Sequence, residues 1–163
     1  MKIVIDPFNK KSINEALKLI TQYEKDFQRK ETEFIRRLKD IGVAVARSGF
    51  ATADYDGVND VLIAETQNGS RAAIIAYGET VGFIEFGTGV RYPEWDGAGA
   101  SFTPPAHGTY GKGRGKQPHG WYFKQGEGTA ARHTYGNPPA EAMLTARNTM
   151  IERVAQIARE VWR

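Results

Sequence analysis

Residues 81–89 read VGFIEFGTG, and residues 133–141 read HTYGNPPAE. A glycine-rich stretch separates these two compact segments, because residues 87–136 hold 12 of the 18 glycines of the chain. The same stretch carries a net charge of +3, which equals the net charge of the whole protein. We therefore expect a body without net charge that carries a basic, flexible arm, and this arrangement favours a role in assembly over catalysis.

The size and composition of the chain suit one soluble domain. We place it at residues 1–163, with residues 89–133 as an extended insertion arm. No segment approaches the roughly 20 apolar residues of a membrane span, and the N-terminus lacks the apolar core of a signal peptide. We therefore expect neither export nor membrane contact. The absence of cysteine excludes disulfides, thiolate catalysis and cysteine-ligated zinc, and we expect no cofactor.

The N-terminal region predicts a long helix. Ser12-Ile13-Asn14-Glu15 has the spacing of a capping box, which predicts that the helix begins at Ser12. Apolar residues then recur every seven positions and continue on neighbouring positions of one stripe. They are Ile13, Ile20, Phe27, Phe34 and Ile41, with Leu17, Leu38 and Val45 beside them. The stripe weakens between Thr21 and Glu33, so we expect this part to be exposed or kinked, with two consecutive helices as the alternative.

Two further patterns complete the fold prediction. Asn68-Gly69 between the β-rich runs 61–66 and 71–77 predicts a hairpin with a type I′ turn. Pro138-Pro139 predicts the start of a C-terminal helix with one apolar stripe. That stripe consists of Met143, Ala146, Met150, Val154, Ile157 and Val161. Residues 2–6 suggest a short edge strand, and residues 81–86 fit either a strand or a short helix.

Together these elements predict the α+β class. We expect a long N-terminal helix and a C-terminal helix packed on a small antiparallel sheet, with a long glycine-rich insertion loop.

The arm contains a basic cluster in which Lys112, Arg114 and Lys116 alternate with glycines. The cluster does not match a phosphate-binding loop, because Gln117 follows the Gly115-Lys116 pair and no strand precedes it. Contact with nucleic-acid phosphates that does not depend on base sequence fits better, and a solvated basic loop is the alternative. A non-specific nucleic-acid-binding module is therefore the second functional hypothesis.

The arm also contains large aromatic residues and all three histidines. We expect Trp95, Phe102, Trp121 and Tyr122 to anchor it onto a neighbouring subunit or to fold it into a small β-appendage. The histidines are His107, His119 and His133. A metal-dependent hydrolase that uses them is the third hypothesis, but their spacing matches no metal-ligand motif. We expect neither a metal site nor catalytic residues.

Residues 83–89 resemble the E-F-G-T signature of a bacteriophage tail-component family, the lambdoid gene-product-ten-like proteins. Residues 133–143 resemble the second signature of that family, a Gly/Pro/Ala turn that leads into the terminal helix. The order of the elements is also similar, although Met143 stands where the family commonly has phenylalanine. The resemblance implies an α+β core without enzymatic activity, in subunits arranged as a ring between portal-proximal adaptors and the tail tube.

On this resemblance we expect a structural protein of the virion neck or upper tail end, present in the host cytoplasm during assembly. The implied partners are its own copies, in a hexameric or dodecameric ring, and the neighbouring head-completion or adaptor and tail-terminator or tail-tube proteins. DNA in the channel is a further non-specific contact. The motif residues to which an assembly role is assigned are Glu85, Phe86, Gly87, Thr88, Gly136, Pro139 and Ala140.

The motif residues also have a purely structural interpretation. Phe86 would pack in the core, Gly87 would adopt backbone angles closed to other residues, and Thr88 would cap the next element. Glu85 lies between two apolar residues, so its carboxylate would need a partner if it were buried. We expect that partner to be Arg147 or Arg153 of the C-terminal helix.

Overall fold

The computed structural model describes residues 5–88, 119–124 and 127–163. Along the chain, helix α1 (Lys10–Ala51) is followed by strands β1 (Leu62–Asn68) and β2 (Arg71–Tyr77) and by the short helix α2 (Val81–Phe86). Strands β3 (Trp121–Phe123) and β4 (Arg132–Thr134) precede the final helix α3 (Ala142–Val161). The predicted α+β class is confirmed, and residues 81–86 form a helix.

Helix α1 is one continuous helix of 42 residues, so the alternative of two consecutive helices is wrong. At 1.5 Å per residue it is about 63 Å long. Its N-cap is Asn9, whose side-chain oxygen accepts hydrogen bonds from the backbone N–H groups of Lys11 (3.0 Å) and Ser12 (3.4 Å). The predicted start at Ser12 is therefore wrong. The Ser12 hydroxyl instead accepts a hydrogen bond from the Asp6 backbone N–H at 3.0 Å.

Helices α1 and α3 pack antiparallel. At one end Gly49 of α1 lies against Ala142, and at the other Trp162, just after α3, contacts the rings of Phe27 and Phe34. The earlier part of α1 keeps its large apolar side chains exposed, for example Leu17 at 56%, although Ala16 is buried. The sequence pattern predicted exposure only for the middle of the helix, whereas the structure shows it from the start.

The predicted hairpin is present, but its turn is displaced by one residue. Asn68 pairs with Arg71, so Gly69 and Ser70 form the two-residue loop. Of these two residues only Gly69 has a positive φ, at 57°, which is the sign pattern of a type II′ turn and not of the predicted type I′. Ile63 and Ala76 pack against the core, whereas the other face of the hairpin is largely exposed.

Strands β3 and β4 form a second two-stranded antiparallel sheet, in which Trp121 pairs with Thr134. Gly120 precedes it with φ of 70°, and a Cβ at this position would collide with the Thr134 carbonyl oxygen. The end of the predicted arm is therefore a small β-appendage. Residues 89–118, which include Trp95 and Phe102, lie outside the described residues, as do residues 2–4 of the edge strand predicted at residues 2–6. Residues 5 and 6 are not in a strand.

The core lies where the end of α1, helix α2 and the start of α3 meet. Phe50, Ile84 and Ala142 are its buried centre, each no more than 2% exposed. Within the described ranges, none of the helices combines the length and apolar character that crossing a membrane requires.

Two glycines of α1 allow a matched test of this packing. A Cβ at Gly49 would lie 2.7 Å from Cβ and 3.0 Å from Cα of Ala142, and neither atom can move without its helix. A Cβ at Gly42 would meet only side-chain atoms, Met150 Sδ at 2.5 Å and Ile74 Cδ1 at 2.6 Å. Alanine itself favours a helix over glycine by about 1 kcal/mol, which opposes the clash at both positions.

We expect Gly49→Ala to lower the free energy of unfolding by about 1–3 kcal/mol, because backbone must move. Gly42→Ala should change it by less than about 1 kcal/mol, because flexible side chains can move instead. Urea unfolding of both variants checks this. Equal effects at the two positions would contradict the close contact between Gly49 and Ala142.

Candidate functional site

The two motif segments, separated by 43 residues of sequence, meet in one place. The backbone N–H of Ala140 donates to the carbonyl oxygen of Ile84 at 2.8 Å, and that of Glu141 donates to the carbonyl of Glu85 at 3.2 Å. Helix α2 is thereby joined to the segment that leads into α3. We call residues 84–88 together with residues 136–144 the motif junction.

A reciprocal set of hydrogen bonds between Thr88 and Asn137 closes one side of the motif junction. The Thr88 backbone N–H donates to the Asn137 carbonyl at 2.9 Å, and the Asn137 N–H donates to the Thr88 hydroxyl at 3.0 Å. That hydroxyl also donates to the Asn137 side-chain oxygen at 3.4 Å. Both residues are buried. The residues directly after Thr88, where it was predicted to act as a cap, lie outside the described residues. In the described part of the chain the Thr88 hydroxyl holds the loop before α3.

Glu85 lies at the other side of the motif junction, against the first turn of α3. Each of its carboxylate oxygens accepts a hydrogen bond from the Met143 N–H at 3.1 Å, and one oxygen also accepts from Leu144 N–H at 3.2 Å. Glu141 occupies the N-cap position but makes no capping bond with its side chain, and its φ is 50°. Glu85 therefore supplies from a distant segment the cap that α3 lacks locally.

The predicted ion pair of Glu85 with Arg147 or Arg153 is wrong. Arg147 donates to the side chain of Asn148 at 3.1 Å and Arg153 to that of Gln156 at 2.8 Å, and both arginines are exposed. The free N–H groups and the positive dipole end of α3 compensate the carboxylate in their place. The only signal in the sequence was that Glu85 lies between two apolar residues. The helix begins at Ala142, three residues after Pro139, and not at the prolines as predicted.

Burial raises the pKa of Glu85 above its ordinary value of 4.5. The backbone N–H donors of Met143, Leu144 and Ala142 oppose this rise, and the neighbouring charge of Glu141 adds to it. Only 5% of Glu85 is exposed, and its oxygens already accept backbone hydrogen bonds. This geometry gives Glu85 a structural role in the motif junction.

Phe86 and Gly87 occupy the places that the structural interpretation predicted. Phe86 is buried. Gly87 has φ of 74° and ψ of 176°, a combination that is essentially restricted to glycine. Gly136 also has a positive φ, at 107°. Pro139 and Ala140 are half-buried beside α2.

Of the predicted arm contacts, Trp121 is half-buried in β3, and Tyr122 is 67% exposed. Tyr122 contacts the ring of His133 edge to face, with centroids 5.0 Å apart. His133 Nε2 lies 2.7 Å from the carbonyl oxygen of His119.

Among the residues that the structure describes, no three His, Asp or Glu side chains are grouped to hold a metal ion. His107 and the basic cluster of Lys112, Arg114 and Lys116 lie outside those residues.

Two aspartates that the sequence did not single out hold the segments that precede the two halves of the motif junction. Asp60 accepts hydrogen bonds from the Glu79 N–H at 2.7 Å and from the Thr80 N–H and hydroxyl, where α2 begins. These bonds, above all that from the Thr80 hydroxyl, lower the pKa of Asp60. Asp56 accepts from the Thr134 hydroxyl at 2.6 Å and so ties β4 to the loop after α1. The three aspartates within residues 54–60 were the available signal.

Comparisons of this chain with protein-family models, with curated proteins and with solved structures found no match.

Proposed function

We propose that this protein is a structural component of a tailed phage or a prophage-derived particle, where it forms a ring at the head–tail neck or the upper tail end. One observation carries the proposal. The two segments that resemble the family signatures contact each other through the backbone bonds from Ala140 and Glu141 and the Thr88–Asn137 pair. Two chance matches in a sequence would have no reason to fold into one buried junction, so the contact supports reading them as one motif.

The exposed apolar surface of α1 also supports an assembled state. Six large apolar side chains in the first half of the helix are more than one-third exposed: Ile13, Leu17, Leu19, Ile20, Tyr23 and Phe27. Most of the stability of a helix in a protein comes from packing of its apolar face, and exposed apolar patches of this kind mark contact surfaces. A subunit that packs against neighbours would cover them.

In this proposal the partners are further copies of the chain in a hexamer or dodecamer, with head-completion or adaptor proteins on one side and tail-terminator or tail-tube proteins on the other. A head-to-tail contact that closes by rotation makes such a ring from one small domain. The protein would act in the virion and be present in the host cytoplasm before assembly.

Light scattering coupled to size-exclusion chromatography tests ring formation directly. We expect a mass that is an integral multiple of the 18.1 kDa subunit, and closed rings in negative-stain images of the same fraction. A monomer at every soluble concentration would contradict self-assembly of the purified protein.

Non-specific nucleic-acid binding is the second candidate, because Lys112, Arg114 and Lys116 alternate with glycines in a stretch that carries the whole net charge. We expect that replacing all three with serine weakens binding to duplex DNA and lowers the slope of log affinity against log salt by up to about 3. Filter binding at several salt concentrations measures both quantities. A matched control replaces Lys10, Lys11 and Lys18 of α1 with serine. Equal losses of DNA affinity in the two triple variants would show that binding depends only on the net charge of the protein.

A further inference from the structure

Two surfaces of opposite charge lie at the two ends of the β1–β2 hairpin. At the turn end, a groove of about 570 Å³ runs between α1, β2 and α3. Its apolar lining includes Leu38, Ile74, Met143 and Met150. We call it the basic groove, because its other lining residues include Lys39, Arg71 and Arg147.

The charge of the basic groove comes mainly from its two arginines. The positive charge of Lys39 is compensated within the subunit, since its Nζ lies 2.6 Å from a carboxylate oxygen of Glu65 and 3.2 Å from one of Asp40. Arg71 and Arg147 are exposed, and the hydrogen bond from Arg147 goes to the neutral side chain of Asn148. An acidic group that entered the groove would therefore meet two solvent-facing guanidinium groups.

At the other end of the hairpin lies a surface that we call the acidic end, formed by residues 54–62 and 77–79. It carries four carboxylates, those of Asp54, Asp56, Asp60 and Glu79. Three large apolar side chains lie among them and are at least half exposed: Val58 at 60%, Leu62 at 57% and Tyr77 at 50%. Exposed apolar side chains beside a charge of one sign are typical of a contact surface.

We propose that the basic groove of one subunit receives the acidic end of a second copy of this chain. The inference rests on the proposed ring and assigns its subunit interface. Charge complementarity selects the occupant, because the acidic end offers carboxylates to the exposed arginines of the groove and apolar side chains to its apolar lining. One contact would then cover two surfaces that are otherwise exposed.

The distance between the two surfaces requires a second copy. A strand of seven residues spans about 20 Å, so one subunit cannot bring its own acidic end to its own groove. In the proposed ring the contact is head-to-tail, and an open chain of subunits keeps one unused groove at one end and one unused acidic end at the other until it closes. This is the interface type that produces rings.

Charge reversal on each surface, alone and combined, tests the contact. The groove variant is Arg71→Glu with Arg147→Glu, and the acidic-end variant is Asp54→Lys with Glu79→Lys. Asp56 and Asp60 are left unchanged because their carboxylates hold Thr134 and Thr80. The control is Arg29→Glu with Arg159→Glu, two exposed arginines away from the groove whose reversal changes the net charge as the groove variant does. Circular dichroism verifies that each variant is folded.

Sedimentation velocity at low salt measures self-association. We expect the groove variant and the acidic-end variant each to associate about tenfold or more weakly than wild type, and the control to associate normally. The chain with all four interface substitutions should associate again, and so should a mixture of the two variants.

Normal association of both interface variants, or failure of the four-substitution chain and the mixture to associate, would overturn this interface. The ring proposal would survive that result if wild type still assembled. A wild-type protein that never associates would contradict both. Capture of an acidic peptide by the groove of wild type, without self-association, would assign the groove to a different partner and also overturn the inference.

Discussion

Glu85→Ala is expected to lower the free energy of unfolding by about 2–4 kcal/mol. The carboxylate accepts hydrogen bonds from the N–H groups of Met143 and Leu144 in a site that is almost completely buried. Each buried donor that loses its only acceptor costs about 1–3 kcal/mol, and α3 also loses a negative charge at its positive dipole end. Urea unfolding followed by circular dichroism measures the change.

The pH dependence of stability measures the balance at Glu85 between burial, which disfavours its charged form, and the backbone N–H donors of α3, which favour that form. The pKa of Glu85 is raised in the folded protein, so its folded state binds the proton more strongly than its unfolded state does. Its contribution is fully present below the unfolded value near 4.5 and is lost as pH rises through the folded value. Against Glu85→Gln, which does not titrate, the stability advantage of wild type should therefore shrink as pH rises from below 4.5.

Glu141→Gln is the matched control, because Glu141 lies beside the same helix end but its side chain makes no capping bond. We expect it to cost less than about 1 kcal/mol. A Glu85→Ala protein as stable as Glu141→Gln would refute the capping role of Glu85.

Phe50→Ala is expected to have the largest effect of any single substitution proposed, about 3–5 kcal/mol, because it empties the centre of the core. Phe50 is 2% exposed and clusters with Ile84 and Ala142, which lie in the two halves of the motif junction. Phe8→Ala is the control, since Phe8 is 98% exposed and its loss should change stability by less than about 0.5 kcal/mol.

Thermal and urea unfolding of the two phenylalanine variants, at one protein concentration, provide the comparison. Concentration must be held constant because self-association of the folded state would add to its apparent stability. Similar losses for Phe8→Ala and Phe50→Ala would show that the apolar contacts that matter for stability lie outside the core described above.

The sequence predicted the elements of the fold better than their ends. Apolar periodicity indicated both helices, and alternating β-rich runs indicated the hairpin, because these patterns follow from burial of one face. The ends depend on single hydrogen bonds. Asn9 and not Ser12 caps α1, and the hairpin loop is Gly69-Ser70, since the strand pairing extends to Asn68. Local sequence offers several competing caps and turns, and tertiary packing selects among them.

The candidate site was predicted in part. The burial of Phe86 and the positive φ of Gly87 follow from residue type and neighbours. The partner of Glu85 was not predictable in the same way, because pairing rules suggest a cation whereas the fold brings the free N–H groups of α3 to it. The contacts of Asp56 and Asp60 likewise depend on which segments the fold brings together. The opposed charges of the basic groove and the acidic end emerge only once the hairpin is placed between the helices.

The most direct measurement of the proposed function is immunogold electron microscopy of particles, purified from the strain that encodes this chain, with antibodies raised against the purified protein. The account predicts label confined to the head–tail junction or the upper end of the tail, in several copies per particle. Particles that carry no label, or label spread over the capsid or along the tail, would contradict it.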